Sequence, residues 1–187
     1  MKSNNLTLGE ILAYPSQYVI PVFQRHYRWD QPQWEKLWAD LAALQEPGKT
    51  GRHFMGFLVL VPESVGPGRV ARYHLIDGQQ RLTTLTLVLC ALRDAAREAG
   101  LAELAQQVEF TTLTNVFSKG VDRYRVYPKL RDREHYVACV DGKPAGEGSV
   151  GAAVRYFAGR LAAIPGAGTD EGLRAFFGLL TGRLELV

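Results

Sequence analysis

The pentapeptide Asp77-Gly78-Gln79-Gln80-Arg81 holds residue types that handle phosphate. It follows an apolar run ending at Ile76 and precedes a leucine-rich stretch, so it reads as a strand-to-helix junction. A helix start offers unpaired backbone N–H groups and the positive end of its dipole, and together these attract an anion. Gly78 lets the backbone turn sharply or approach a ligand. Gln79 and Gln80 could donate hydrogen bonds to phosphate oxygens or orient a water. Arg81 could grip phosphate through two parallel bonds. Asp77 could hold a magnesium ion through a carboxylate oxygen, or act as a base. The plainer alternative is a turn in which Asp77 merely caps the helix. No Walker-type GxxxxGK loop is present, which excludes a P-loop.

A second cluster is Ile20-Pro21-Val22-Phe23-Gln24-Arg25-His26-Tyr27-Arg28-Trp29. Aromatic side chains alternate here with cations and an amide, a mixture that can stack a base while holding a phosphate. The alternative is an amphipathic edge with Tyr27 and Trp29 buried and the arginines in water. A third feature is a basic stripe of Lys119, Arg123, Arg125, Lys129, Arg131 and Arg133, set against Asp122 and Asp132. It reads either as a contact for a phosphate backbone or as a solvated hairpin face.

The elements that must position these residues follow from pattern. Thr7 with Glu10 is a capping-box pair, so a helix should start near Leu8 and end before Pro15. Residues 18–23 read as a strand, with Pro21 marking an edge or an end. Asp30 with Gln33 should cap a helix whose stripe is Trp34, Leu37, Trp38, Leu41 and Leu44. Residues 54–61 form a continuous apolar run, predicted as one strand buried on both faces. It should pair through a loop at 62–68 with a second strand at 72–76. A helix is predicted over 82–99, closed at Gly100. Residues 101–126 are ambiguous, a helix and then a hairpin near 118–120. Asp132, Ser149 and Thr169 should cap three further helices, through Val140, over 150–164 and over 170–181. Residues 184–187 look like the start of another strand or helix.

The chain has 187 residues, 47% hydrophobic and 22% charged, which excludes general disorder and suits one core. The expected class is α+β: a small mixed sheet with packed helices over residues 1–100, then a mostly helical half over 101–187. The net charge of +3 is too small to announce nucleic acid by itself. No apolar run is long enough to span a bilayer and no signal segment opens the chain, so a cytoplasmic, non-membrane protein is expected. Cys90 and Cys139 sit in apolar helical patterns and read as buried thiols. The scattered His26, His53, His74 and His135 suggest no zinc site.

The two clusters, with His53-Phe54-Met55-Gly56 between them, resemble the GmrSD-type N-terminal domain family, with its IPxFQRxYxW segment and DGQQR signature. The resemblance covers about residues 6–140 and within the family is most like SspE-type proteins that sense phosphorothioate DNA. It implies a ParB/sulfiredoxin-like core in an NTP-hydrolysing module of bacterial antiviral defence. The nucleotide would be GTP or ATP, with magnesium. Asp77, Gln79, Gln80 and Arg81 become catalytic candidates, and Gly78, Arg81, Gln24 and Arg25 become nucleotide-binding ones. Phe23, Gln24, Arg25, Tyr27 and Trp29, joined by Lys129 and Arg131, become candidates for sensing modified DNA. The family's HNH-type nuclease domain and its FExLNxRG-type segment have no match in this sequence, so truncation after Val187 is expected. A homodimer stays open. Two rival readings remain. One is a non-enzymatic module, of a defence or partition-like system, that grips DNA backbone. The other is a regulatory domain that docks another protein through its aromatic face.

Overall fold

The computed structural model describes residues 4–66, 68–128 and 132–187. Among these residues lie seven α-helices and two small mixed sheets, the α+β arrangement that the patterning predicts. One sheet has the order β4 (Val59–Glu63), β5 (Ala71–Asp77), β2 (Ser16–Ile20), β6 (Val126–Pro128). β4 runs antiparallel to β5, while β2 is parallel to both β5 and β6. The other sheet places β7 (Leu184–Leu186) between β1 (Leu6–Thr7), antiparallel to it, and β3 (His53–Gly56), parallel to it.

The first two helices form where their caps predict. In α1 (Leu8–Ala13) the Thr7 hydroxyl accepts from Glu10 N–H at 3.2 Å, and Glu10 Oε2 accepts from Thr7 N–H at 2.7 Å. In α2 (Gln31–Leu44) the Gln33 Oε1 accepts from Asp30 N–H at 3.1 Å. Its Trp34, Leu37 and Leu41 are buried, and Trp34 packs on Tyr156 at 5.7 Å between ring centroids.

α3 (Gln79–Glu98) is the axis of the molecule. Every residue from 82 to 93 is buried, so the helix is enclosed on all sides rather than on one leucine face. It packs against α4 (Ala102–Val108) and α6 (Ser149–Leu161). Two of its buried threonines, Thr84 and Thr86, return their hydroxyls to their own turn, Thr86 Oγ1 donating to Leu82 O at 2.9 Å. α5 (Arg133–Val140) and α7 (Asp170–Arg183) complete the helices, the latter capped by Thr169. Cys90 and Cys139 are buried free thiols. No described helix is long and apolar enough to cross a membrane.

Three expectations change. The run at 54–61 is two strands in two sheets, because Gly56 takes a φ of +106° and breaks it. Nor is it doubly buried, since Phe54, Phe57 and Val61 are about half exposed. The hairpin near 118–120 is a 3-10 turn over Gly120–Arg123, beside a single bridge between Thr114 and Tyr124. The basic stripe is not one surface. Arg125 is buried, its guanidinium donating to Tyr14 O at 2.5 Å, Thr114 O at 3.1 Å and Phe110 O at 3.2 Å, and Arg123 pairs with Asp141 at 3.3 Å.

Candidate functional site

β5 ends at Asp77 and α3 begins at Gln79, with Gly78 between them at a φ of +89°. A Cβ there would run into Leu58 and the Phe57 carbonyl, so both conformation and space require glycine. No side chain caps the start of α3. The first-turn N–H groups of a 20-residue helix therefore open beside Gln79, Gln80 and Arg81.

The two glutamines hold the second cluster against this helix start. Gln24 Nε2 donates to Ile76 O at 2.8 Å, and Gln79 Nε2 donates to Gln24 Oε1 at 3.0 Å. Gln80 Oε1 accepts from Arg28 N–H at 2.8 Å while its Nε2 donates to His26 O at 3.1 Å. Gln80 thus uses its amide as a strand would use a peptide group, fixing the backbone of 26–28. Among the described residues the Gln79 carbonyl oxygen holds no partner and is the free acceptor of the pair.

Behind the glutamines runs an ordered chain of hydrogen bonds. Trp34 Nε1 donates to Tyr27 Oη at 2.8 Å, Tyr27 Oη to Thr84 Oγ1 at 2.8 Å, and Thr84 Oγ1 to Gln80 O at 2.7 Å. The order follows because indole can only donate and the Thr84 proton is already committed. The Tyr27 N–H donates to Asp132 Oδ2 at 2.6 Å. Burial pushes the Tyr27 hydroxyl up to about 12.

A cavity of about 530 Å³ lies between the clusters. Gln24, Arg25, Arg28 and Trp29 line one side, and the junction from Asp77 to Arg81 lines the other. Three arginines face one carboxylate. Among the described residues the guanidinium groups of Arg25 and Arg28 have no carboxylate partner. Arg81 is steadied from behind: Nη1 donates to Met55 O at 2.9 Å, Nη2 lies 3.8 Å from Asp77 Oδ2, and the missing Cβ of Gly56 leaves it room. The Asp77 side chain is 64% exposed. It is the one acidic side chain in the lining, and no described cluster of three His, Cys, Asp or Glu could hold a metal. That donor set suits a magnesium ion arriving with phosphate oxygens, not one held by protein alone.

A second cavity of about 490 Å³ shares Trp29, Gln33 and Arg81 with the first. Leu37, Phe54 and Met55 give it apolar walls, while Lys36, Asp40 and His53 stand among them. His53 Nε2 is 3.5 Å from Asp40 Oδ2.

The structure therefore gathers Gln24, Arg25, Trp29, Asp77, Gly78, Gln79, Gln80 and Arg81 around one hollow. It does not bring Tyr27 to the wall, since the ring is 4% exposed and lies behind it. Phe23 is 73% exposed and stands outside the lining. Lys129 and Arg131 lie outside the described residues. Sequence reasoning missed Arg28 and Gln33 as lining residues, and the second cavity altogether. Arg28 sat in view within the second cluster, but Gln33 carried only a capping signal.

The family model described as the N-terminal domain of GmrSD restriction endonuclease matches residues 8–148. No curated protein matches the chain.

Proposed function

The chain belongs to the family of GmrSD restriction endonuclease N-terminal domains, and from that premise we propose that it hydrolyses a nucleoside triphosphate while sensing modified DNA. The hydrolysis would gate a nuclease domain of HNH type elsewhere in the full-length protein. The observation that carries this reading is the uncapped start of α3 opening, with Arg25, Arg28 and Arg81, onto a cavity of about 530 Å³. A small-molecule site has this size, and backbone N–H groups beside guanidinium groups suit a polyphosphate.

In this reading water attacks the terminal phosphorus and the bond to the β–γ bridging oxygen breaks. Arg81, held in place by Met55 O, meets the charge that develops on that phosphate. Asp77 accepts the proton of the water or holds magnesium, which when bound would offset phosphate charge. Gln79 has a free carbonyl to orient the water, and Gln80 positions the Arg25–Arg28 segment through His26 O and Arg28 N–H. Phosphorothioate is the favoured mark because sulfur is soft and a poor hydrogen-bond acceptor. A ring beside a cation suits it, and Trp29 with Arg25 supplies that pairing.

The test is Arg81→Ala in the full-length protein. Nucleotide turnover should fall by about 10³-fold or more, in line with the loss of an arginine from a transferring phosphate. Turnover equal to wild type overturns the mechanism. A second reading, a module that grips DNA backbone without hydrolysis, is favoured by Arg25 and Arg28, which have no carboxylate partner among the described residues. It predicts binding that falls steeply with salt and ignores added nucleotide.

A further inference from the structure

We infer that the second cavity is the nucleobase subsite of the same nucleotide, and that Asp40 selects a base presenting two adjacent N–H donors, a guanine, over adenine. This rests on the nucleotide reading above and adds a substrate preference to it.

Three observations lead there. First, the two cavities adjoin, with Trp29, Gln33 and Arg81 common to both linings. A polyphosphate held at the start of α3 can therefore leave its nucleoside on the far side of Arg81. Second, the two hollows differ in chemistry. The first is walled by amides, guanidinium groups and one carboxylate, with Trp29 as its single ring. The second has Leu37, Phe54 and Met55 as well as Trp29. Phe54 is 51% exposed and meets Phe57 in a T-shaped contact at 5.4 Å between centroids, so about half of the residue is left open for a stacking partner.

Third, the polar groups of the second hollow are ordered along one helix face. Lys36 and Asp40 are one turn apart on α2 and both line the cavity. An ammonium only donates and an ionised carboxylate only accepts. The matching edge of guanine offers O6 as acceptor, then N1–H and the 2-amino group as adjacent donors. Lys36 can meet O6 while Asp40 meets the two donors. Adenine offers an amino donor and then N1 as an acceptor, so its lone pair would face the carboxylate. A site built to accept two N–H groups rejects a base that lacks them more strongly than an apolar pocket rejects a change of shape. His53, at 3.5 Å from Asp40 Oδ2, flanks the carboxylate at the mouth of the strand β3.

The experiment is calorimetric titration of this chain with tripolyphosphate, GTP, ITP and ATP. Tripolyphosphate reads the phosphate cavity alone. GTP should bind about 10-fold or more tightly than tripolyphosphate or ATP, with ITP, which lacks the 2-amino group, in between. In Asp40→Asn the ratio of GTP to ATP affinity should fall toward one. Asp40 is partly exposed on the helix surface and the change is isosteric, and a far-ultraviolet circular dichroism spectrum like that of wild type establishes that the variant is folded. ATP bound as tightly as GTP, GTP bound no more tightly than tripolyphosphate, or a ratio unmoved in Asp40→Asn overturns the base subsite and leaves the phosphate reading standing. Failure of tripolyphosphate and all three nucleotides to bind overturns the phosphate reading itself.

Discussion

Tyr27 lines neither of the two cavities described, yet it links the core to the site through Trp34, Thr84 and the Gln80 carbonyl. Its hydroxyl is pushed up to about 12 from an ordinary 10.0, so the folded chain holds that proton more tightly than the unfolded chain does. The stability this brings is fully present below pH 10 and is lost as pH rises toward 12, about 3 kcal/mol in all. Tyr27→Phe should cost about 1–2 kcal/mol near neutrality, because Trp34 and Thr84 each lose a partner. In urea unfolding, the gap between wild type and Tyr27→Phe should then close and reverse as pH rises from 10 through 12, and a gap constant over that range refutes the assignment. Residue types were the legible part of the site, since the glycine, two glutamines and arginine do stand at a helix start and line one hollow. Their mutual bonds were not legible. Gln79 reaches Gln24 and Gln80 reaches His26 across more than fifty positions, and no local pattern encodes such a meeting.

Helix ends show the same contrast one level up. α1 and α2 were readable from Thr7 with Glu10 and Asp30 with Gln33, because a cap is a local contact. The split of residues 54–61 was not readable, because Gly56 turns where the guanidinium of Arg81 arrives from another element. The close of α5 is equally remote in origin. Arg93, fully buried on α3, donates from Nη1 to Val140 O at 2.5 Å and from Nη2 to Cys139 O at 2.6 Å, while Nε binds Asp94 at 2.8 Å. It satisfies carbonyls that a helix C-terminus leaves open and offsets the negative end of its dipole. Arg93→Met keeps much of the volume but strands those carbonyls, and should cost roughly 2–4 kcal/mol by chemical denaturation. Arg93→Lys should recover only part, since one ammonium cannot reproduce the fork. A loss below about 0.5 kcal/mol in Arg93→Met would sink this account.

Nearly all the buried hydrophobic residues among those described form one cluster from Leu8 to Leu186, and each of the two sheets brings a residue to the site. β5 delivers Asp77, while β3 delivers the Met55 carbonyl that steadies Arg81. β3 is itself held by β7, reinforced where Val187 N–H donates to Gly56 O at 3.2 Å and Leu58 N–H to Val187 O at 2.8 Å. Removing residues 184–187 should therefore lower Tm by roughly 10 °C and weaken tripolyphosphate binding in the same variant. An unchanged Tm with unchanged binding would show that the strand supports neither. During synthesis β1 and β3 emerge from the ribosome long before β7 does, so each waits with an open edge that could pair with a neighbouring chain. The arginine anchor on Met55 is thus among the last parts to be set, and a nascent chain has the arginines and glutamines of the proposed phosphate site exposed before it has the means to aim them.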